Sequence, residues 1–235
     1  MIRENIAAIR AKMEKAAAAC GRDPKEILLC AATKMNDAEA VKQAVLGGVD
    51  CCGENRVQEL MQKQPLGAYD GVPIHFIGHL QTNKVKQVVG KVDLIQSVDR
   101  LPLLQAIEKE AAKQGICQNI LLEINIGNEE SKSGFTPDEA KALCAQMENF
   151  PHCSVQGLMA IPPICVEEQG NSKYFTEMYQ IFVDIRGKKY DNVDMVCLSM
   201  GMSDDFSEAI ACGSTMIRVG TAIFGPRDYT KSHQT

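Results

Sequence analysis

Eight short apolar runs alternate with helical patterns along the chain, and this alternation constrains the fold more than any other feature. Strands that alternate with helices pair in parallel, because each crossover needs a helix's worth of chain. The runs predict eight strands, at residues 27–33, 49–52, 74–78, 94–98, 120–126, 155–160, 195–199 and 215–219.

Sequence signals mark where several of the predicted helices begin and end. One helix ends at Gly47-Gly48, one spans about 101–114 and one spans about 173–189. Another begins at Thr136, which with Glu139 forms a capping box before a proline in the first turn. Ahead of the first strand, apolar residues recur at steps of three and four as far as Gly21, which predicts an extra N-terminal helix (Ile2, Ile6, Ile9, Met13, Ala16, Cys20).

A chain of 235 residues suits one α/β barrel or two small domains. Eight strand–helix units without a linker or low-complexity stretch favour a single domain over residues 1–235, folded as a closed (β/α)8 TIM barrel. An open doubly wound sheet is the alternative, although no G-x-G-x-x-G follows the first strand.

Charge and cysteine content narrow the partners and the compartment. The net charge of −5 and the pI near 5.5 argue against nucleic acid and against a polybasic membrane contact. The ten cysteines are scattered without a C-x-x-C pair, which favours free thiols in the reducing cytosol. No signal peptide is expected, and no apolar run approaches the roughly 18 residues of a membrane span.

In a barrel of this type the reactive groups follow the strands, at the C-terminal rim. Lys34 follows the nearly uncharged first strand, and a partly desolvated lysine has a lowered pKa and can attack an aldehyde. Without other evidence, a lysine at the end of a strand is more often an ordinary residue whose ammonium extends into solvent.

Two glycine-bearing segments follow the last two strands, at 199–203 and 218–221. Barrels frequently bind phosphate with the loops after strands seven and eight, because glycine and a helix start expose backbone N–H groups. Two ordinary capped turns are the alternative. Arg218 lies two residues before Gly220, where it can approach a ligand ring or form a salt bridge with Asp204 or Asp205.

Two further residues at the rim have an uncertain role. Lys132, beside Glu129 and Glu130, is either a second amine near the mouth or a solvated loop lysine, and the second is the commoner case. His79 can cap a loop or pack near a ligand, and the sequence assigns it no proton-transfer role.

These segments together resemble the pyridoxal phosphate homeostasis proteins, a family with a fold like the N-terminal domain of alanine racemase. The matching segments occur in order over nearly the whole chain: ATK (32–34), GENRVQE (53–59), HFIGHLQTNK (75–84), SVD (97–99), SKSGF (131–135), GLM (157–159), SMGMSDD (199–205) and RVGTAIFG (218–225).

The resemblance implies a monomeric or weakly associating barrel of the alanine racemase type, known as fold type III among enzymes that use pyridoxal 5′-phosphate (PLP). It implies PLP held as a Schiff base on Lys34, with Asn55 and Met200 near the cofactor. Phosphate contacts fall to Ser199, Gly220 and Thr221, and the contact to the ring nitrogen falls to Arg218. No metal is implied.

The sequence favours a PLP carrier and regulator that supplies apo-enzymes over an enzyme. Racemases of this fold resemble the chain only over the barrel, whereas here the eight units leave only residues 228–235. A racemase also needs a proton donor on each face of its substrate, and none of the five tyrosines falls in a matching segment. A racemase or decarboxylase, or a barrel for another phosphorylated ligand, stays the alternative.

Overall fold

The computed structural model describes residues 1–129, 132–163 and 170–226. Its strands are β1 (Leu28–Ala32), β2 (Cys51–Glu54), β3 (Ile74–Phe76), β4 (Leu94–Val98), β5 (Gln118–Ile124), β6 (Cys153–Ala160), β7 (Val193–Ser199) and β8 (Met216–Val219). The helices are α1 (Ile2–Ala19), α2 (Ala38–Leu46), α3 (Val57–Lys63), α4 (Leu101–Gln114), α5 (Pro137–Cys144), α6 (Ser172–Arg186), α7 (Phe206–Ala211) and α8 (Thr221–Phe224). Short 3-10 turns occupy Pro24–Glu26, Gln64–Leu66, Thr82–Gln87 and Met147–Asn149.

The sheet is a closed parallel barrel in which each strand pairs with the next along the chain and β8 pairs with β1. At the closing seam Leu28 lies opposite Met216, and Ala31 lies opposite Val219. Closure confirms the (β/α)8 prediction and excludes the open doubly wound sheet.

The strand predictions are correct in number and order but shifted at some ends. The largest shifts are at β2, which begins and ends two residues later than predicted, and at β5, which begins and ends two residues earlier. At the end of β2 the ladder continues through Glu54. A buried carboxylate inside a strand contradicts hydrophobic patterning, and it is tolerated because Lys63 forms an ion pair with it. The prediction for β4 and for α4 agrees with the structure at both ends.

Alternation along the strands divides the buried residues into two sets. Outward-facing residues such as Leu29, Ala31 and Ile95 join the helices in one large apolar core. The inward-facing apolar residues form a separate small cluster, and it contains sulfur side chains as well as leucines (Cys30, Cys51, Leu94, Leu121, Met159, Cys197, Met216). The barrel interior is therefore unusually rich in sulfur, since such barrels are mostly filled by Val, Ile and Leu.

The predicted N-terminal helix is present as α1, and it packs against α2, α7 and α8 across the seam between β8 and β1. Asn5 of α1 donates from its side-chain amide to the Ile223 carbonyl at 2.8 Å. Just after α1, Arg22 donates to the carbonyls of Ile210 and Ser214 at 2.7 and 2.8 Å. These contacts tie the beginning of the chain to its last two strand–helix units.

The sequence also made predictions about membrane spans and about the cysteines. None of the helices in the described ranges is long and apolar enough to cross a membrane. The nine cysteines within those ranges are all free thiols, as predicted, while Cys165 lies outside them.

Candidate functional site

Lys34 lies at the C-terminal rim of the barrel, two residues after β1, and its side chain is partly exposed. The next residue, Met35, has a φ of 61°, in the left-handed region that a residue with a side chain rarely adopts. Its backbone N–H donates to Glu59 at 2.7 Å. Asn36 donates to the Lys34 carbonyl at 3.0 Å. The turn that carries Lys34 is thus held on both sides.

Behind this turn lies a buried ion cluster formed by Lys63, Glu54 and Glu59. The Lys63 ammonium lies 2.6 Å from Glu54, 2.8 Å from Glu59 and 2.9 Å from the Thr33 carbonyl. Lys63 is 6% exposed and Glu54 is fully buried. Because the cluster bonds both Thr33 and Met35, it fixes the backbone on either side of Lys34.

The same Glu54 carboxylate accepts two further hydrogen bonds. Thr33 donates its hydroxyl at 2.7 Å, and Tyr69 donates its phenol at 3.0 Å. Burial, followed by the charge of Glu54 and this hydrogen bond, raises the pKa of Tyr69. Tyr69 is therefore a neutral donor that stabilises Glu54.

Arg218 projects into the barrel from β8 and is 5% exposed. It donates to the Ser199 hydroxyl at 2.6 Å and to the Ala160 carbonyl at 2.9 Å. Ser199 donates in turn to Gln96 at 2.7 Å, and the Gln96 amide nitrogen lies 2.9 Å from His75 Nδ1. A chain of hydrogen bonds thus runs from the mouth of the barrel into its interior.

Glu123 lies near Arg218, on β5. Burial, with a smaller contribution from Asp99, raises the pKa of Glu123 to about 7, although Arg218 opposes the shift. The carboxyl therefore exchanges its proton near neutral pH, next to the cation. Burial likewise lowers the pKa of Arg218, although a guanidinium stays charged in proteins.

The loops after β7 and β8 meet at the rim, as the sequence predicted. The Arg218 N–H donates to the Gly201 carbonyl at 3.0 Å. Thr221, the first residue of α8, donates to the Ser203 hydroxyl at 3.1 Å. A Cβ placed on Gly220 would lie 3.4 Å from the Ala32 carbonyl oxygen. The glycine loop after β8 therefore lies against the segment that leads to Lys34.

Three other predicted residues occupy different surroundings. The side-chain oxygen of Asn55 is buried and has no hydrogen-bond partner within the described ranges. Met200 is fully buried in the large apolar core. Ser199 is also fully buried, with its hydroxyl in the interior chain described above. The structure brings Lys34, Asn55, Arg218, Gly220 and Thr221 to one end of the barrel.

The structure gives the contacts of the two residues whose role the sequence left open. Lys132 forms an ion pair with Glu129 and donates to the Pro162 carbonyl at 3.3 Å. His79 is 56% exposed and lies 3.2 Å from Asp99. It also lines a cavity of about 230 Å³ beside Asn55, on the rim.

Sequence reasoning missed the groups that position Lys34 and the polar interior of the barrel. Glu54 and Glu59 fall within a segment on which the resemblance rests, yet no role was assigned to them. Lys63 lies four residues after Glu59 on α3, a spacing at which side chains on a helix pair. That spacing was the available signal. The inward direction of His75 and Gln96 depends on strand register, which the sequence does not give.

Comparison with known proteins identifies the family. A family model described as "Alanine racemase, N-terminal domain" matches residues 2–228. The pyridoxal phosphate homeostasis protein of Pasteurella multocida is 38% identical over 232 residues, which cover 98% of this chain and 99% of that protein. Its counterpart in Escherichia coli K12 is 41% identical over 236 residues, which cover 98% of each.

A solved structure shares the architecture. PipY of Synechococcus elongatus PCC7942, determined with PLP bound, superposes with a TM-score of 0.82 at 29% identity and covers 96% of this chain and 100% of that one. The closed barrel, the rim lysine and the near-complete match to these relatives agree with one another. The chain therefore belongs to the family of pyridoxal phosphate homeostasis proteins, within the wider family of alanine racemase N-terminal domains.

Proposed function

We propose that this chain binds PLP reversibly through Lys34 and acts as a cytosolic carrier and buffer of that cofactor. The observation that carries the proposal is the closure of the barrel between β1 and β8. Closure places the Gly220 loop against Ala32, two residues before Lys34. An amine and a loop suited to an anion thus lie at one rim, as a small phosphorylated aldehyde requires.

The residues present fit this cofactor. Among the residues that the structure describes, the buried side-chain oxygen of Asn55 at the mouth has no hydrogen-bond partner, and a buried acceptor needs one. Arg218 uses two of its N–H groups within the described ranges, out of the five that a guanidinium offers. We assign the ring nitrogen to Arg218 and the phosphate to Gly220, Thr221 and Ser199. Met200 would pack beneath the cofactor from the large apolar core.

Each side chain has a separable task. When bound, PLP supplies an aldehyde that condenses reversibly with an amine. The ion cluster around Lys63 holds the turn that carries Lys34. Arg218 would donate to the ring nitrogen of bound PLP and, as a permanent cation, would leave that nitrogen without a proton. An unprotonated ring is a weak electron sink, which suits storage of the cofactor better than carbanion chemistry.

The tyrosines support a carrier over a racemase. A racemase needs a second proton donor opposite its lysine. Tyr69 is committed to Glu54. The other tyrosines of the described ranges lie on or just after α6, in the outer layer (Tyr174, Tyr179, Tyr190). Tyr229 lies outside the described residues.

The visible spectrum of the purified protein tests the binding proposal. We expect an absorbance band well away from the aromatic region, which borohydride removes and which Lys34→Ala abolishes. Lys132→Ala is the matched control and should keep the band, because Lys132 is held by Glu129. A band that survives Lys34→Ala, or no band after incubation with PLP, would refute the role of Lys34.

Delivery is tested by mixing the loaded protein with an apo-enzyme that requires PLP. We expect reactivation faster than release from an inert carrier of equal affinity allows, and no turnover of amino acids by the protein itself. Equal rates would refute delivery, and steady racemisation would refute the carrier assignment. Sedimentation of the loaded protein should show a monomer.

A further inference from the structure

Below the rim, three buried side chains with metal-binding atoms converge inside the barrel. Cys30, Cys51 and His75 each offer one ligand atom, and these atoms all lie within 4.8 Å of one another. All three side chains are buried. They come from the adjacent strands β1, β2 and β3, and none belongs to the site proposed for PLP.

The register of the sheet fixes this convergence. Cys30 and Cys51 are direct partners in the ladder between β1 and β2. His75 pairs with Gly53, two residues beyond Cys51, so that it faces the same side of the sheet. Ligands held on paired strands are better positioned than ligands on loops.

The distances suit a small cation after a modest adjustment. In a tetrahedral zinc site with Zn–S near 2.3 Å and Zn–N near 2.0 Å, ligand atoms are about 3.4–3.8 Å apart. The three atoms here need to approach by about 1 Å, which small side-chain rotations supply. His75 Nδ1 faces the Gln96 amide at 2.9 Å, so Nε2 is the nitrogen left for a metal.

Other groups near the three ligands also suit a thiophilic metal. Met216 places its thioether sulfur 3.2 Å from the same Gln96 nitrogen, close to the imidazole. Thiolate is the form of cysteine that binds metals, and two deprotonated thiols would balance the charge of a divalent ion.

Packing also restricts this region. A Cβ on Gly53 would lie 2.9 Å from the Cys30 sulfur and 2.7 Å from the Ile77 side chain. No larger residue fits without displacing the thiol, and Ile77 covers the cluster on that side. The three side chains are buried, as the ligands of a closed structural zinc site are.

We propose that Cys30, Cys51 and His75 form a buried site for a thiophilic d10 cation, Zn²⁺ or Cu⁺, with the Met216 thioether or a water molecule in the fourth position. Thiolate and imidazole ligands select these two ions among the common biological metals. The site is separate from the PLP site, and it does not depend on Lys34.

The test uses the full-length protein, produced with added zinc or copper and purified under reducing conditions. We expect about one metal per chain by elemental analysis, retained during dialysis against a weak chelator. X-ray absorption on this sample should show two sulfur ligands near 2.3 Å and one nitrogen near 2.0 Å when the ion is zinc. The same measurement with copper decides which ion the site retains.

Cys30→Ser and Cys51→Ser should each lower metal affinity by more than about 100-fold, since even outer-shell partners are worth about 10–100-fold. Cys197→Ser, a buried thiol of the same interior cluster but outside the ligand set, is the matched control and should retain the metal. Lys34→Ala should also retain it, which separates this result from any failure of PLP binding.

Three results would overturn the proposal. One is metal content in the wild type no higher than in Cys30→Ser. Another is an X-ray absorption spectrum of the wild-type protein that shows only oxygen or nitrogen ligands. This measurement does not depend on whether a variant folds. The third is a Cys30–Cys51 disulfide, found by mass spectrometry in protein purified without reductant.

Discussion

The ion cluster behind Lys34 allows a quantitative test by Lys63→Met, which keeps the length of the side chain and removes its charge. The ammonium makes three contacts of 2.6–2.9 Å and is 6% exposed. Removing one partner of a buried pair costs about 3–5 kcal/mol, because the other charge stays buried without compensation. We expect this loss in the free energy of unfolding, because the donors left to Glu54 among the described residues would be the Thr33 hydroxyl, the Tyr69 phenol and the Asn55 backbone N–H.

Urea unfolding followed by circular dichroism measures the change. Lys141→Met is the matched control, because Lys141 forms an exposed pair with Asp184 at 3.1 Å and such pairs are worth about 0–1 kcal/mol. Adding Glu54→Gln to Lys63→Met should restore at least half of the loss. A loss below about 1 kcal/mol would refute the reasoning.

Three further predictions concern other parts of the barrel. Burial and Asp99 raise the pKa of Glu123 from 4.5 to about 7, so the folded chain favours the protonated form and loses that advantage as pH rises through 7. The free energy of unfolding of Glu123→Gln should therefore exceed that of the wild type by up to about 3 kcal/mol near pH 8 and should equal it near pH 4. Urea titrations measure both values, and an equal gain at the two pH values would contradict the prediction. Gly157→Ala should lower the free energy of unfolding by about 3 kcal/mol or more, because φ at Gly157 is 149° and the added Cβ would overlap the Cys197 carbonyl oxygen. Thermal unfolding measures the loss, and an unchanged melting temperature would show that β6 and β7 can separate there. Thr136→Ala should cost about 1 kcal/mol of unfolding free energy by losing the capping box and Thr136→Ser almost nothing, and equal losses would exclude the cap as the cause.

Much of the fold could be predicted from the sequence, because parallel strands buried on both faces read as continuous apolar runs. The run that became β4 is flanked by clear breaks, and its predicted ends agree with the structure. The run that became β2 stops being apolar at Gly53 and Glu54, where the backbone ladder continues. Hydrophobicity reports side chains, and it misses a strand end that a buried ion pair supports.

The candidate site divides in the same way. The position of Gly220 beside Ala32, two residues before Lys34, could be predicted because closure of a barrel follows from counting its strands. The partner of the Lys34 turn could not, since Lys63 looks like an ordinary helix lysine until α3 is packed under β1 and β2. Which side chains face inward depends on register, and a shift of one residue would turn Cys30 and His75 outward.

The seam between β1 and β8, covered by α1, has a consequence for synthesis. Lys34 leaves the ribosome early, whereas Gly220 and the surface under α1 arrive nearly 190 residues later. Contacts so distant in sequence form late in folding. A growing or truncated chain would therefore hold the amine but lack the far wall of the pocket, so capture of a ligand at this rim reports that the last strand has docked.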